Sequence, residues 1–211
     1  MNKVFTYYQD IECLHDPDLI KIWEESWKKH GWEPVILTDK DAMDADPKMY
    51  ARFCKSPLLA TRNPPEYTLA AMLRWIPMTK VTEPCLHVDW DVLCNGLGKE
   101  SVVMHDPVPT FLAGSTCPCA VAGTPKAWKL FAAWLEAAPF CPRFSADALA
   151  ADSCDQYATS IMPQEFFYIQ QGLPCALYLE QENWRTSPMI HFPTRLTSYP
   201  RSATIKSLGI L

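Results

Sequence analysis

Between Lys3 and Asp39 the chain passes from an apolar segment (KVFTYY, residues 3–8) through a helical stretch to a second apolar segment (EPVILT, 33–38). In the intervening stretch, around Asp18–His30, Leu19, Ile22, Trp23, Ser26 and Trp27 recur at the spacing of one helical face, and Gly31 ends the run. Strand, helix and strand joined by short loops restrict the fold to a parallel α/β architecture, because a helix between two neighbouring strands returns the chain to the same end of the sheet. The pattern predicts a further helix over 66–77 (EYTLAAMLRWIP) and a buried strand over 84–89 (PCLHVD). The second half is mixed. It carries expected strands at Ser101–Met104, Thr110–Ala113, Cys119–Ala122, Ala176–Leu179 and Met189–His191, with helices over Pro125–Ala137 and Cys154–Ile161. Trp128, Phe131 and Trp134, at helical spacing, read as core. With 211 residues the expectation is a single-domain α/β fold, Rossmann-like, with a mostly parallel central sheet flanked by helices.

A net charge of -5 without a basic run argues against general attraction to nucleic acid or anionic lipid. No segment approaches about 18 consecutive apolar residues, and the start lacks a hydrophobic signal region, so a cytoplasmic protein without a membrane span is expected. Nine cysteines, an odd number without a paired CxxC framework, fit reduced thiols. Cys117-Pro118-Cys119 alone is two ligands short of a zinc site. Phosphate-loop, GxGxxG, HExxH and GxSxG motifs are absent, and the lone Gly96-Leu97-Gly98 reads as a turn.

Asp-x-Asp occurs four times, at Asp16/Asp18, Asp39/Asp41, Asp44/Asp46 and Asp89/Asp91. The first three lie in polar stretches where aspartate caps helices or faces water. Only Asp89-Trp90-Asp91 ends an apolar run, Cys85-Leu86-His87-Val88, which puts both carboxylates at the carboxyl end of a buried strand, where open α/β sheets bind ligands. On an extended chain the two carboxylates share one side and repel each other, so a bound cation is expected, and removal of one is expected to leave the fold intact. Mg²⁺ or Mn²⁺ suits such oxygen ligands and leaves positions for phosphate oxygens. The competing reading is a pair of solvated strand-capping carboxylates. Arg74, on an otherwise apolar helix, suits a phosphate or a neighbouring carboxylate. His87 reads as structural, and His15, His30 and His105 give no signal.

The order of the strand at Val4–Tyr8, the strand ending in Asp39, the helix carrying Arg74 and the strand ending in Asp89-Trp90-Asp91 resembles glycosyltransferases of the GT-A fold. Asp155-Gln156 is similar to the Asp-Gln pair of several retaining members, and IHFP at 190–193 resembles the C-terminal segment whose histidine completes the metal site. The resemblance spans roughly residues 3 to 195 and implies a metal-dependent enzyme moving a hexose from a nucleotide-diphosphate sugar, a UDP-sugar, to a glycan or other hydroxyl acceptor with retention of configuration. It implies Mn²⁺ or Mg²⁺ held by Asp89, Asp91 and His191, and a donor held by Thr6, Tyr7, Tyr8, Asp39, Arg74, Asp89, Trp90 and Asp91. Asp155, Asp152 and Gln156 take the catalytic roles. Residues 1–95 form the nucleotide-sugar half and 96–211 the acceptor half, with Gly114–Pro118 and Pro139–Asp152 as acceptor loops. Two departures stand out. Thr82-Glu83-Pro84 replaces the Gly-Gly pair before the DxD strand of many related families, and the tail lacks the Gly and Lys that often follow His-Phe, so the diphosphate contacts of that tail are either missing or come from Arg195 instead. The alternatives are a sugar-nucleotide nucleotidyltransferase, disfavoured because Thr6-Tyr7-Tyr8-Gln9 has no glycine, and a non-catalytic binding domain.

Overall fold

A computed structural model describes residues 1–12, 15–59, 63–141, 155–172, 175–180, 182–194, 196–198 and 200–210. A six-stranded sheet is ordered β2 (Glu33–Leu37), β1 (Lys3–Tyr7), β3 (Cys85–Val88), β6 (Ala120–Gly123), β5 (Thr110–Phe111), β7 (Tyr168–Ile169). All run the same way except β6, which is antiparallel to both of its neighbours. A second sheet of three strands is ordered β4 (Val92–Cys94), β9 (Met189–His191), β8 (Cys175–Leu177). Seven helices are described: α1 (Pro17–Lys29), α2 (Asp39–Ala45), α3 (Pro47–Phe53), α4 (Pro65–Leu73), α5 (Pro125–Ala137), α6 (Asp155–Ser160) and α7 (Arg201–Leu208). The expected α/β class with a mostly parallel, helix-flanked sheet is the observed one. No described helix is long and apolar enough to cross a membrane.

Strand alternation divides the core into two layers. Val4, Leu86, Ala120 and Ala122 face one cluster with Leu19, Trp23 and Trp27 of α1, while Phe5, Cys85 and Val121 face another with Trp128 and Phe131 of α5. The α1 face is the one its spacing predicts: Leu19, Ile22, Trp23, Ser26 and Trp27 are all buried. Indole N–H groups then tie this layer to the second sheet and the segment after β4, Trp27 Nε1 donating to the Val92 carbonyl (3.1 Å) and Trp32 Nε1 to that of Leu97 (2.9 Å).

The polar Asp-x-Asp pairs serve helix ends. Asp41 accepts from the Thr38 backbone N–H (2.8 Å) in the capping box of α2, and Asp46 accepts from Lys48 N (3.0 Å) and Met49 N (2.9 Å) ahead of Pro47 to open α3. Asp16 is buried and accepts from Ser202 N (2.9 Å), so it caps α7 from across the fold, while Asp18 meets Lys206 of the same helix (2.8 Å).

Two expected elements differ. Ser101–Met104 is no strand: Ser101 ends a 3-10 turn (Lys99–Ser101), and the Gln170 side chain takes the place of a partner strand, accepting from Val103 N (2.9 Å) and donating to the Ser101 carbonyl (2.8 Å). The helix expected over 66–77 stops at Leu73, and Pro77, which lacks an N–H, starts a separate 3-10 turn through Lys80. The strand β4, beginning immediately after Asp91, and the short helices α2 and α3 were not expected.

Candidate active site

Asp89 and Asp91 bracket a tight turn between β3 and β4, closed by Val92 N donating to the Asp89 carbonyl (2.9 Å). The turn, rather than an extended strand, brings the carboxylates together. The second sheet supplies the third group. In the antiparallel β4–β9 pair Val92 lies opposite His191, and Phe192 N donates to the Asp91 carbonyl (2.9 Å), which sets His191 beside Asp91 across a hundred residues of sequence. His191 Nε2 is 3.4 Å from Asp91 Oδ1, and one ligand atom from each of Asp89, Asp91 and His191 lies within 4.8 Å of the others.

Two arginines hold the carboxylates from opposite sides. Arg74, at the C-terminal end of α4, donates through Nη1 to Asp89 Oδ1 and through Nε (3.0 Å) and Nη2 (2.6 Å) to Asp155 Oδ2. Trp75 Nε1 adds a fourth bond in this group, to the same Asp155 oxygen (2.8 Å), and the Arg74 guanidinium lies 4.6 Å from the Trp75 ring centre. Asp155 is 1% exposed, and its Oδ2 is committed to three donors. On the other side Arg201, the first residue of α7, donates through Nη1 to Asp91 Oδ2 and to the Phe192 carbonyl (3.3 Å), with its guanidinium 4.4 Å from the Trp90 ring centre.

The two carboxylates of the motif are polarised apart. Burial pushes Asp89 up to about 6 against the pull of Arg74, with the Asp91 charge adding to the rise. Burial also disfavours the charge on Asp91, but His191 and Arg201 outweigh it and bring Asp91 down to about 2. For His191 burial opposes the charged form, and the Asp91 carboxylate with Cys119 overcomes it, leaving the imidazole well above its ordinary value. Asp91 Oδ1 is buried and has no hydrogen-bond partner. A buried, unsatisfied carboxylate oxygen next to an imidazole nitrogen and a second carboxylate fits a divalent cation.

The centre opens into a cavity of about 640 Å³, at the carboxyl ends of β1 and β3, the size of a small-ligand site. Of the residues singled out by sequence, Tyr7, Arg74, Asp89, Trp90, Asp91, Asp155, Gln156 and His191 line it. Thr6 is buried within β1, Tyr8 packs edge-on against Trp90 (5.3 Å between ring centres), and Asp39 begins α2 and accepts from the Tyr50 hydroxyl (2.8 Å); none of the three lines the cavity. Asp152, Arg195 and most of the loop 139–152 lie outside the described residues. His87 is fully buried, tilted on Trp75 at 4.5 Å, and burial holds its imidazole well below the ordinary value, so it is a neutral core side chain. The thiols of Cys117 and Cys119 also line the cavity and are free, with Cys117 raised by its contact with Cys119 and by burial.

Arg201 and Trp75 are the site residues that sequence reasoning passed over, whereas Cys117 lies in the Gly114–Pro118 stretch read as an acceptor loop, of which Ser115, Cys117 and Pro118 line the cavity. Trp75 carried only an apolar label, and Arg201 follows Pro200 in a segment with no stripe or motif.

No protein-family model matches the sequence. No curated protein matches it either. Among solved structures, the fold is similar to the crystal structure of a glycosyltransferase involved in the glycosylation of the major capsid of PBCV-1, with a TM-score of 0.53 and 11% sequence identity, over 97% of this chain and 98% of that chain. At that identity the likeness is one of fold.

Proposed function

We propose that the protein is a metal-dependent glycosyltransferase that moves a hexose from a nucleotide-diphosphate sugar, most simply a UDP-sugar, to an acceptor hydroxyl with retention of configuration. The observation that carries this reading is the convergence of Asp89, Asp91 and His191 at the mouth of a cavity of about 640 Å³, on a sheet whose fold is similar to that of a known glycosyltransferase. Asp89, Asp91 and His191 hold the cation. When bound, Mn²⁺ or Mg²⁺ supplies the positive charge that a leaving nucleoside diphosphate requires. Arg74, fixed on Asp155 and Asp89, presents its guanidinium to the same cavity and adds charge for the diphosphate. Tyr7 and Trp90 furnish aromatic wall for the donor, and Gln156 faces the cavity, where its amide can orient the sugar or the acceptor. Asp155 acts as the residue that positions Arg74. Residues 1–95 form the donor half and 96–211 the acceptor half, as one domain.

Calorimetric titration with UDP, with and without Mn²⁺, tests the reading: UDP affinity is expected to rise at least tenfold with the metal. No UDP binding in either condition defeats it.

A further inference from the structure

The charged side chains that line the cavity, among the described residues, are Asp89, Asp91, Asp155, Arg74, Arg201 and His191. Arg74 and Arg201 offset two of the three carboxylates, so an incoming divalent cation meets a site that has little negative charge left. The two arginines are placed differently. Arg74 bridges two carboxylates, and its side chain is 12% exposed. Arg201 is 2% exposed, and the ion pair described for it is with Asp91 alone; its Nε is buried without a hydrogen-bond partner. Its backbone is anchored too. The next residue, Ser202, donates its N–H to buried Asp16 (2.9 Å), and Lys206 one turn on meets Asp18 (2.8 Å). Arg201 therefore lines the cavity from a fixed position, held on Asp91. Its charge is spent on Asp91 Oδ2, and only Oδ1 remains for a cation.

Resting on the metal-dependent reading above, we infer that Arg201 is a positioning residue that sets the site's hold on its cation: as a fixed internal counter-ion to Asp91 it keeps the affinity for the bare metal low, so that retention of the metal depends on an anionic diphosphate. A guanidinium close to the ligand carboxylate repels a divalent cation and attracts a diphosphate, in a setting where water screens little. Its effects on the two ligands are opposite in sign. A purely structural arginine has a different signature, because loosening the site weakens both ligands together.

The experiment measures Mn²⁺ alone and UDP alone, by calorimetry and by the electron paramagnetic resonance of free Mn²⁺, on wild type, Arg201→Gln and Arg201→Lys. Glutamine keeps a donor for Asp91 without the charge; lysine keeps the charge. Arg201→Gln is expected to tighten Mn²⁺ alone at least tenfold, about 1.4 kcal/mol, and to weaken UDP alone, while Arg201→Lys stays near wild type for Mn²⁺. A folded Arg201→Gln that binds Mn²⁺ no better than wild type overturns the inference. Should that variant fail to fold, wild type decides alone: Mn²⁺ is expected to bind at least tenfold more tightly with saturating UDP than without it, and equal affinities overturn the inference. Absence of Mn²⁺ and UDP binding to wild type, separately and together, defeats the functional reading itself, whereas failure of the variants with normal Mn²⁺–UDP binding to wild type defeats only the role of Arg201.

Discussion

The Asp155 side of the site and the Asp91 side are built from the same chemistry, carboxylate on arginine, to different ends. Asp155 gives one oxygen to three donors from Arg74 and Trp75 and is sealed from solvent. Asp91 gives one oxygen to Arg201 and leaves the other buried and unsatisfied beside His191. A saturated carboxylate holds a neighbour in place, and an unsaturated one is available to a ligand. On the metal-dependent reading proposed above, the contrast makes one side scaffold and the other the cation side, although both are an aspartate on an arginine.

The sharpest way to break that contrast is Asp91→Ala. Sequence alone treats Asp89 and Asp91 as a repelling pair, so that removing one leaves the fold unharmed. The structure reverses the expectation, because Asp91 is the counter-ion of a buried arginine, and its loss strands that charge. A destabilisation of about 3–5 kcal/mol is expected, read as a fall in melting temperature, together with loss of Mn²⁺-dependent UDP binding. A variant that melts like wild type would mean that Arg201 does not depend on Asp91.

Asp155→Asn probes the scaffold side with a smaller effect. It removes the charge facing Arg74 but keeps an oxygen that can accept from Arg74 and Trp75, so the expected cost is about 1.5–3 kcal/mol, the range for hydrogen bonds to charged groups. Because Arg74 also holds Asp89, UDP affinity in the presence of Mn²⁺ should fall as well, while affinity for Mn²⁺ alone changes less than in Asp91→Ala. If metal affinity falls as far as in Asp91→Ala, the division into scaffold and cation sides is wrong.

How far the site was legible in advance follows from the range over which its parts act. Asp89 and Asp91 were readable because they terminate a local apolar run, and the decoy pairs at Asp39/Asp41 and Asp44/Asp46 because helix starts have local signatures. The β-helix-β opening is also local, and α1 buries the face that its spacing indicates. His191 entered through a resemblance of IHFP to a family segment; the register that delivers it depends on β4, only three residues long and invisible to a period-2 pattern. Arg201 had no signal at all. Its partner lies 110 positions earlier, and its helix has no apolar stripe to set its orientation. Thr6 and Asp39 show the limit of such local addresses: the end of a strand near the ligand edge is a coarse position, and neither side chain lines the cavity.

The smallest expected effect is also the one that separates the two sides most cleanly, because it changes protons rather than residues. In the metal-free protein His191 is held above its ordinary value by Asp91. A raised folded-state value contributes stability that is fully present below about 6.5, the unfolded-state histidine value, and is lost as the pH rises through the folded one. Asp91, at about 2, contributes stability that is present above its unfolded value and lost only in strong acid, so it adds no slope near neutrality. Asp89, raised to about 6, works against folding once it ionises, and that loss is complete by neutral pH. Above about pH 6.5 the His191–Asp91 side should therefore make the metal-free protein progressively less stable until His191 has lost its proton. Metal binding runs the other way: a coordinating imidazole must be neutral, so affinity for Mn²⁺ should rise toward about tenfold per pH unit wherever His191 is still protonated, and fall more steeply below about pH 6, where Asp89 also takes up a proton. Melting curves and Mn²⁺ titrations from pH 5.5 to 8.5 measure both trends on one sample. In His191→Gln the stability slope above pH 7 and the metal-affinity slope above pH 6 should both disappear while the Asp89 limb persists; a wild type whose Mn²⁺ affinity is flat across this range would show that His191 does not bind the cation through the nitrogen that faces Asp91.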